Sequence, residues 1–172
     1  RMEGDFDLGM AGVGGLLEGP LFGGKGSYLL SARKSFLDLI ISSTGLTAVP
    51  HYYNLQGKVV YDLNRNNKLL INTIYGNDQI NIEAEKEKES GGYAGEEQNV
   101  RALSHQYAIG ATLRSLWRKG FSDLTVSRVL SYWDTFVSDA SRQTLYTNRS
   151  TEVENTAKFD GVFQFSKTYE IA

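Results

Sequence analysis

The residues Gly19 to Gly26 (GPLFGGKG) come close to the spacing G-x-x-x-x-G-K-[ST], in which backbone amides and a lysine cradle phosphates. Gly26 stands where the magnesium-binding hydroxyl belongs, and a strand pattern follows where a helix is needed, so nucleotide binding is not expected. The glycines from Gly9 to Gly15 lack the helix and spaced acidic partner of a dinucleotide site and read as room for a bulge or a neighbouring element. His51 and His105 are the only histidines, with no H-x-x-x-H and no third ligand, so no metal and no cofactor is expected. The acidic run Glu83 to Glu97 has the chemistry to hold calcium but reads as a solvated face. G-x-S-x-G is absent and no nucleophile lies beside a base, so the sequence does not read as an enzyme.

Composition narrows the classes further. Across 172 residues the net charge is -2, which gives no basic footprint for nucleic acid. Cysteine is absent, which removes disulfides and thiolate metal sites. No apolar run approaches the ~20 residues of a helical membrane span, a test that β-barrel strands do not have to pass. The opening RMEGDF has no start methionine and no signal-peptide pattern, and the chain reads as a piece of a longer protein. Ten tyrosines against two prolines suit strands with aromatic ends.

Tyr53 to Leu63 (YNLQGKVVYDL) shows how such strands are built. Tyr53, Leu55, Gly57, Val59, Tyr61 and Leu63 alternate with Asn54, Gln56, Lys58 and Asp62, with Val60 the one apolar exception, which gives one dry and one wet face. At about 3.3 Å per residue and a tilt near 40°, Tyr53 and Tyr61 stand roughly 20 Å apart in height, close to the aromatic girdles that flank an outer-membrane barrel's apolar band. The same two-faced pattern recurs over 5–21, 27–41, 68–82, 104–117, 121–138 and 152–166, making seven expected strands. Phe6, Leu8 and Met10 are out of phase with Leu17, which calls for a bulge at the intervening glycines. Lys34 and Arg128 break the dry face.

Connections are expected to alternate, short at 22–26, 64–67 and 118–120 and long at 42–51, 83–103 and 139–151, with 83–103 an extended, solvated hairpin. The expected fold is all-β: an antiparallel up-and-down meander with its short turns at one end. A face bearing Lys58, Arg114, Asp123, Lys158 and Asp160 is no soluble core, so it must line water or a polar plug while the dry face meets lipid. Two alternatives stand beside this reading: a plug-less adhesin or assembly barrel, and a soluble lipocalin-like or sandwich binding protein.

Glu18-Gly19-Pro20, the Gly-rich turn after it, and Ser27-Tyr28-Leu29-Leu30-Ser31-Ala32-Arg33-Lys34-Ser35-Phe36-Leu37-Asp38 together resemble an early barrel segment of TonB-dependent outer-membrane receptors. The likeness is to the group with a carboxypeptidase-like regulatory domain. Lys58 to Asn64 (KVVYDLN) and Tyr75 to Asp78 (YGND) look like that family's next strand pair. The resemblance implies that residues 1–172 belong to a barrel of about 22 strands in the bacterial outer membrane, plugged by a domain upstream. Its implied partners are outer-membrane lipid, the plug and remaining strands, the TonB complex, and a scarce ligand such as a siderophore, cobalamin or an oligosaccharide. Within such a barrel, Arg33, Gln56, Lys58, Arg114 and Lys158 are the candidates to face the lumen and line the plug or ligand path.

Overall fold

The computed structural model describes residues 1–10, 12–36, 48–82, 98–164 and 170–171. Its strands are β1 (Glu3–Gly9), β2 (Gly12–Leu21), β3 (Gly26–Ser35), β4 (Ala48–Asp62), β5 (Asn67–Ile82), β6 (Gln98–Trp117), β7 (Gly120–Asp139), β8 (Thr144–Gln164) and β9 (Glu170–Ile171). They lie in one antiparallel sheet in strict chain order, the up-and-down meander expected. Soluble strands average about five to six residues, whereas β6 and β7 have 20 each and β8 has 21. No helix among the described residues is long and apolar enough to cross a membrane.

Where seven strands were expected, the described residues hold eight long ones and the two-residue β9, because residues 5–21 form a hairpin. Gly9 pairs with Gly12 across a two-residue connection, so even positions on β1 face odd positions on β2. The change of phase between Phe6 and Leu17 is the signature of that turn and involves no bulge. The connection expected over 139–151 is also shorter, since β8 already starts at Thr144 and pairs with β7 along its length. A register shift between Val137 and Ser138 brings the two strands together above that turn. The hairpin expected over 83–103 falls largely outside the described residues, as do residues 37–47.

Short-range chemistry fixes each tight connection differently. In the turn after β2, Gly23 and Gly24 take φ of 67° and 94°, values that favour glycine. The short connection expected at 64–67 forms with no residue at positive φ. There the side-chain oxygen of Asn64 accepts the N–H groups of Asn66 and Asn67, each at 2.9 Å, an Asx turn built without left-handed backbone. Arg118 and Lys119 join β6 to β7, and Gly120 begins the strand because a Cβ there would run into the carbonyl of Val162 on β8.

The sheet has a single layer. Among the described residues no apolar side chain is buried, and the few buried residues are Gly14, Ser35, Ser104, Ser122 and Ser138. Leu55, Val126 and Phe159 remain 49%, 52% and 66% exposed. The accessible surface is 12841 Å², against about 8400 Å² for a compact globular protein of this mass. Backbone ladders and cross-strand pairs therefore hold the sheet together, with no core sandwiched between layers.

At the end of β7, the Asp139 side chain accepts hydrogen bonds from the Ser141 hydroxyl and the Gln143 N–H, both at 2.7 Å. These bonds, Ser141 first, hold the carboxyl below its ordinary range. A depressed folded pKa stabilises the turn fully above the unfolded value of about 3.9, and the contribution is lost as pH falls through the folded value. A carbon-13 NMR titration of the Asp139 carboxyl is expected to give a midpoint below the ordinary one, and Ser141→Ala is expected to move it upward. An unmoved midpoint in that variant would contradict the assignment.

Candidate functional site

Antiparallel partners share a face, so the register sorts every strand residue to one side of the sheet or the other. One row of cross-strand partners runs Leu29, Lys58, Asn72, Gly110, Ser127, Thr156; the adjacent row on the opposite face runs Tyr28, Val59, Ile71, Ala111, Val126, Ala157. A single step along the chain separates a polar row from an apolar one.

The polar face carries all five residues singled out from the sequence: Arg33 on β3, Gln56 and Lys58 on β4, Arg114 on β6 and Lys158 on β8. Their roles in the sheet differ. Arg114 donates through Nε and Nη2 to the two carboxylate oxygens of Asp123, at 2.8 and 2.6 Å, with its guanidinium 5.4 Å from the Phe121 ring centre. Lys158 pairs with Asp160 at 2.9 Å, and Lys68 with Asp62 at 3.3 Å. These three pairs lie at the short-turn end of the face. Arg33 reaches Asp7 at 3.7 Å across the intervening strand β2. Gly14 makes that reach possible, since a Cβ there would sit 3.1 Å from the Asp7 carboxylate and 3.2 Å from the Arg33 side chain. Gln56 and Lys58 make no hydrogen bond or ion pair among the described residues and are the groups left open to a partner.

The sequence placed Asp123 and Asp160 on this face without pairing them to Arg114 and Lys158, and it did not single out Asp7. Asp123 was legible in principle, because a two-residue turn at 118–119 places it directly opposite Arg114. Asp7 was not, since its approach to Arg33 depends on an empty position one strand away. Glu3, Asp5, Asp7, Glu18, Asp62, Asp78, Asp123, Glu152, Glu154 and Asp160 all share the polar face, so its carboxylates outnumber the cations Arg33, Lys58, Lys68, Arg114 and Lys158.

The apolar face ends in aromatic residues. At the end away from the short turns, Tyr53, Tyr75, His105 and Tyr132 form a chain across four strands. The Tyr53 and Tyr75 hydroxyls are 3.3 Å apart, the Tyr75 hydroxyl is 3.4 Å from His105 Nδ1, and the His105 and Tyr132 rings stack at 5.8 Å. At the other end lie Tyr61 and the half-exposed Trp117. Lys34 sits in the Tyr53 row, and Arg128 lies in the middle of the band, opposite Ile109 and Asn155. Both are on the apolar face, as the sequence pattern indicated.

No His, Asp and Glu cluster among the described residues has the grouping to hold a metal ion. Chemically, the polar face offers fixed ion pairs, free amide and ammonium groups, and an excess of negative charge. The architecture defined is a single-layer meander with one charged face and one uncovered apolar face with aromatic ends. Compared with family models, curated proteins and solved structures, the chain matches none.

The ion pairs differ in geometry and exposure. The Arg114–Asp123 pair is bidentate with the aspartate side chain 15% exposed, while Arg33 and Asp7 are 63% and 62% exposed. Double-mutant cycles to alanine are expected to give a coupling of about 1 kcal/mol for Arg114 with Asp123 and about zero for Arg33 with Asp7. Equal couplings would contradict the distinction.

Proposed function

We propose that this sheet is an arc of a transmembrane β-barrel in a bacterial outer membrane, within a TonB-dependent receptor that takes up a scarce ligand such as a siderophore, cobalamin or an oligosaccharide. One observation carries the bilayer part of this reading: a band of apolar side chains across eight strands that no second layer of described residues covers, bounded at both ends by aromatic residues. Water is a poor solvent for such a face, and a closed barrel in hydrocarbon is the arrangement in which a single sheet can keep it. The eight-residue step from Tyr53 to Tyr61 along β4 gives the band its height of roughly 20 Å.

The receptor part rests on the resemblance in residues 18–40 and on how residues 18–35 are arranged. Glu18-Gly19-Pro20 lies at the end of β2, a turn with two positive-φ glycines follows, and β3 carries the Ser27 to Ser35 pattern beside β4. Further strands then complete the barrel on the free sides of β1 and β9, with a plug inside. Lys58 and Gln56 are the polar-face groups open to that plug or to passing ligand, while Arg33, Arg114 and Lys158 already have carboxylate partners. The excess of carboxylates favours a basic plug surface or a cationic ligand at this side of the lumen.

The full-length natural protein, mixed with phosphatidylcholine vesicles during refolding, is expected to float with them on a density gradient. Val59→Arg is expected to cost about 2 to 4 kcal/mol of stability in the bilayer, as for a cation near mid-depth, and the adjacent Lys58→Ala nearly nothing. A protein that stays monodisperse without detergent, or that tolerates both substitutions equally, would overturn the reading.

A further inference from the structure

The two faces differ in the sign of their charges as well as in polarity. The five charged side chains placed by strand register on the apolar face are Lys34, Arg101, Arg128, Arg149 and Asp134, and the only carboxylate among them pairs with Arg149 at 3.3 Å. Acids elsewhere on the strands fall on the other side. Two of the cations converge. Arg101 on β6 and Arg149 on β8 flank a hollow of about 350 Å³ whose remaining walls are Leu103, Asp134, Phe136 and Thr147. Arg101 has no hydrogen bond or ion pair among the described residues, so the hollow holds a cation in excess of its carboxylate.

Its height is informative. Leu103, Asp134 and Arg149 form the row of partners one step beyond His105, Tyr132 and Thr151, and Arg101, Phe136 and Thr147 form the next. With two residues per row and a tilted strand, the rows stand about 5 and 10 Å above the aromatic chain. A bilayer's headgroup layer is about 5 to 8 Å thick on each side of its hydrocarbon, so these rows fall at headgroup level.

We propose that this hollow binds the phosphate headgroup of an anionic membrane lipid in the leaflet on the side away from the short turns. The assignment rests on the bilayer-facing reading above. Arginine suits the task because its planar fork donates two hydrogen bonds to one phosphate. Thr147 adds a hydroxyl, and Leu103 and Phe136 supply apolar wall where the acyl chains begin. The chemistry is that of a phosphate monoester or diester, and the apolar wall favours a lipid over a free anion.

The test uses the full-length protein in phosphatidylcholine nanodiscs containing a minor fraction of phosphatidic acid, with bound lipid counted by native mass spectrometry after gentle delipidation. Retained phosphatidic acid is expected in the natural protein. Arg101→Gln with Arg149→Gln is expected to weaken retention about tenfold or more, as for loss of charge-assisted hydrogen bonds. Arg65→Gln, in the turn at the opposite end, is expected to leave it unchanged. Flotation with vesicles is scored in parallel for each variant. If all variants float and the double variant retains phosphatidic acid as well as the natural protein, this site is overturned while the barrel reading stands. If the natural protein does not float, both fail. Titration with inorganic phosphate alone is expected to show no binding, and phosphate binding that depends on both arginines would identify a soluble anion and overturn the lipid assignment.

Discussion

Each strand pairs only with its neighbours in sequence, and the register of that pairing is the constraint on which everything else depends. In an antiparallel ladder a residue and its partner point to the same side, so one fixed register propagates a face across the whole sheet. Val59, Ile71, Ala111 and Val126 meet on one side, while Lys58, Asn72, Gly110 and Ser127 meet on the other. A slip of one residue at a hairpin would bring the polar face of one strand beside the apolar face of the next along the rest of the sheet. The turns that prevent the slip are short and chemically distinct, from the glycines after β2 to the Asn64 side-chain cap and the Asp139 cap.

From that register follow two faces that need different surroundings. A soluble β-protein resolves the conflict by stacking a second sheet on the apolar side, which brings large side chains to near-complete burial. Here the large apolar side chains remain exposed and no described element lies over them. The polar side orders itself instead, through cross-strand ion pairs and through Thr112 and Thr125, whose hydroxyls meet at 2.9 Å. The apolar side has almost no polar contact in its middle and a network of hydroxyl and imidazole groups at its far edge. Lys34 and Arg128 are the features that fit such a band least. Lys34 lies at the aromatic edge, where its stem can carry the ammonium outward; Arg128 is mid-band beside Asn155, with no ion pair among the described residues.

Much of this was legible in the sequence because a period of two survives averaging over long strands. The faces of Tyr53 to Tyr61 and Phe159 to Phe163 could be read directly, and so could the shared side of Arg33, Gln56, Lys58, Arg114 and Lys158. What failed was local. A two-residue hairpin at Gly9 to Gly12 inverts the phase much as a bulge would, and only pairing distinguishes them. The Thr147 to Thr151 segment is polar on both sides, so alternation gave no sign of a strand, yet it pairs with β7 through its backbone. Ion-pair partners depend on register across neighbours and, for Arg33, on the missing side chain of Gly14.

The central claim is that hydrocarbon contacts the Leu55, Gly57 and Val59 side of β4 and water the Gln56 and Lys58 side. Because the chain has no cysteine, single cysteines can be placed at 55 to 59 in turn and labelled with a nitroxide. Collision rates with oxygen and with a water-soluble nickel chelate, measured by electron paramagnetic resonance in vesicles, should then alternate with a period of two, oxygen dominating at the odd positions and nickel at the even ones. Odd positions shielded from both probes would mean that protein covers that face, and the account would be contradicted.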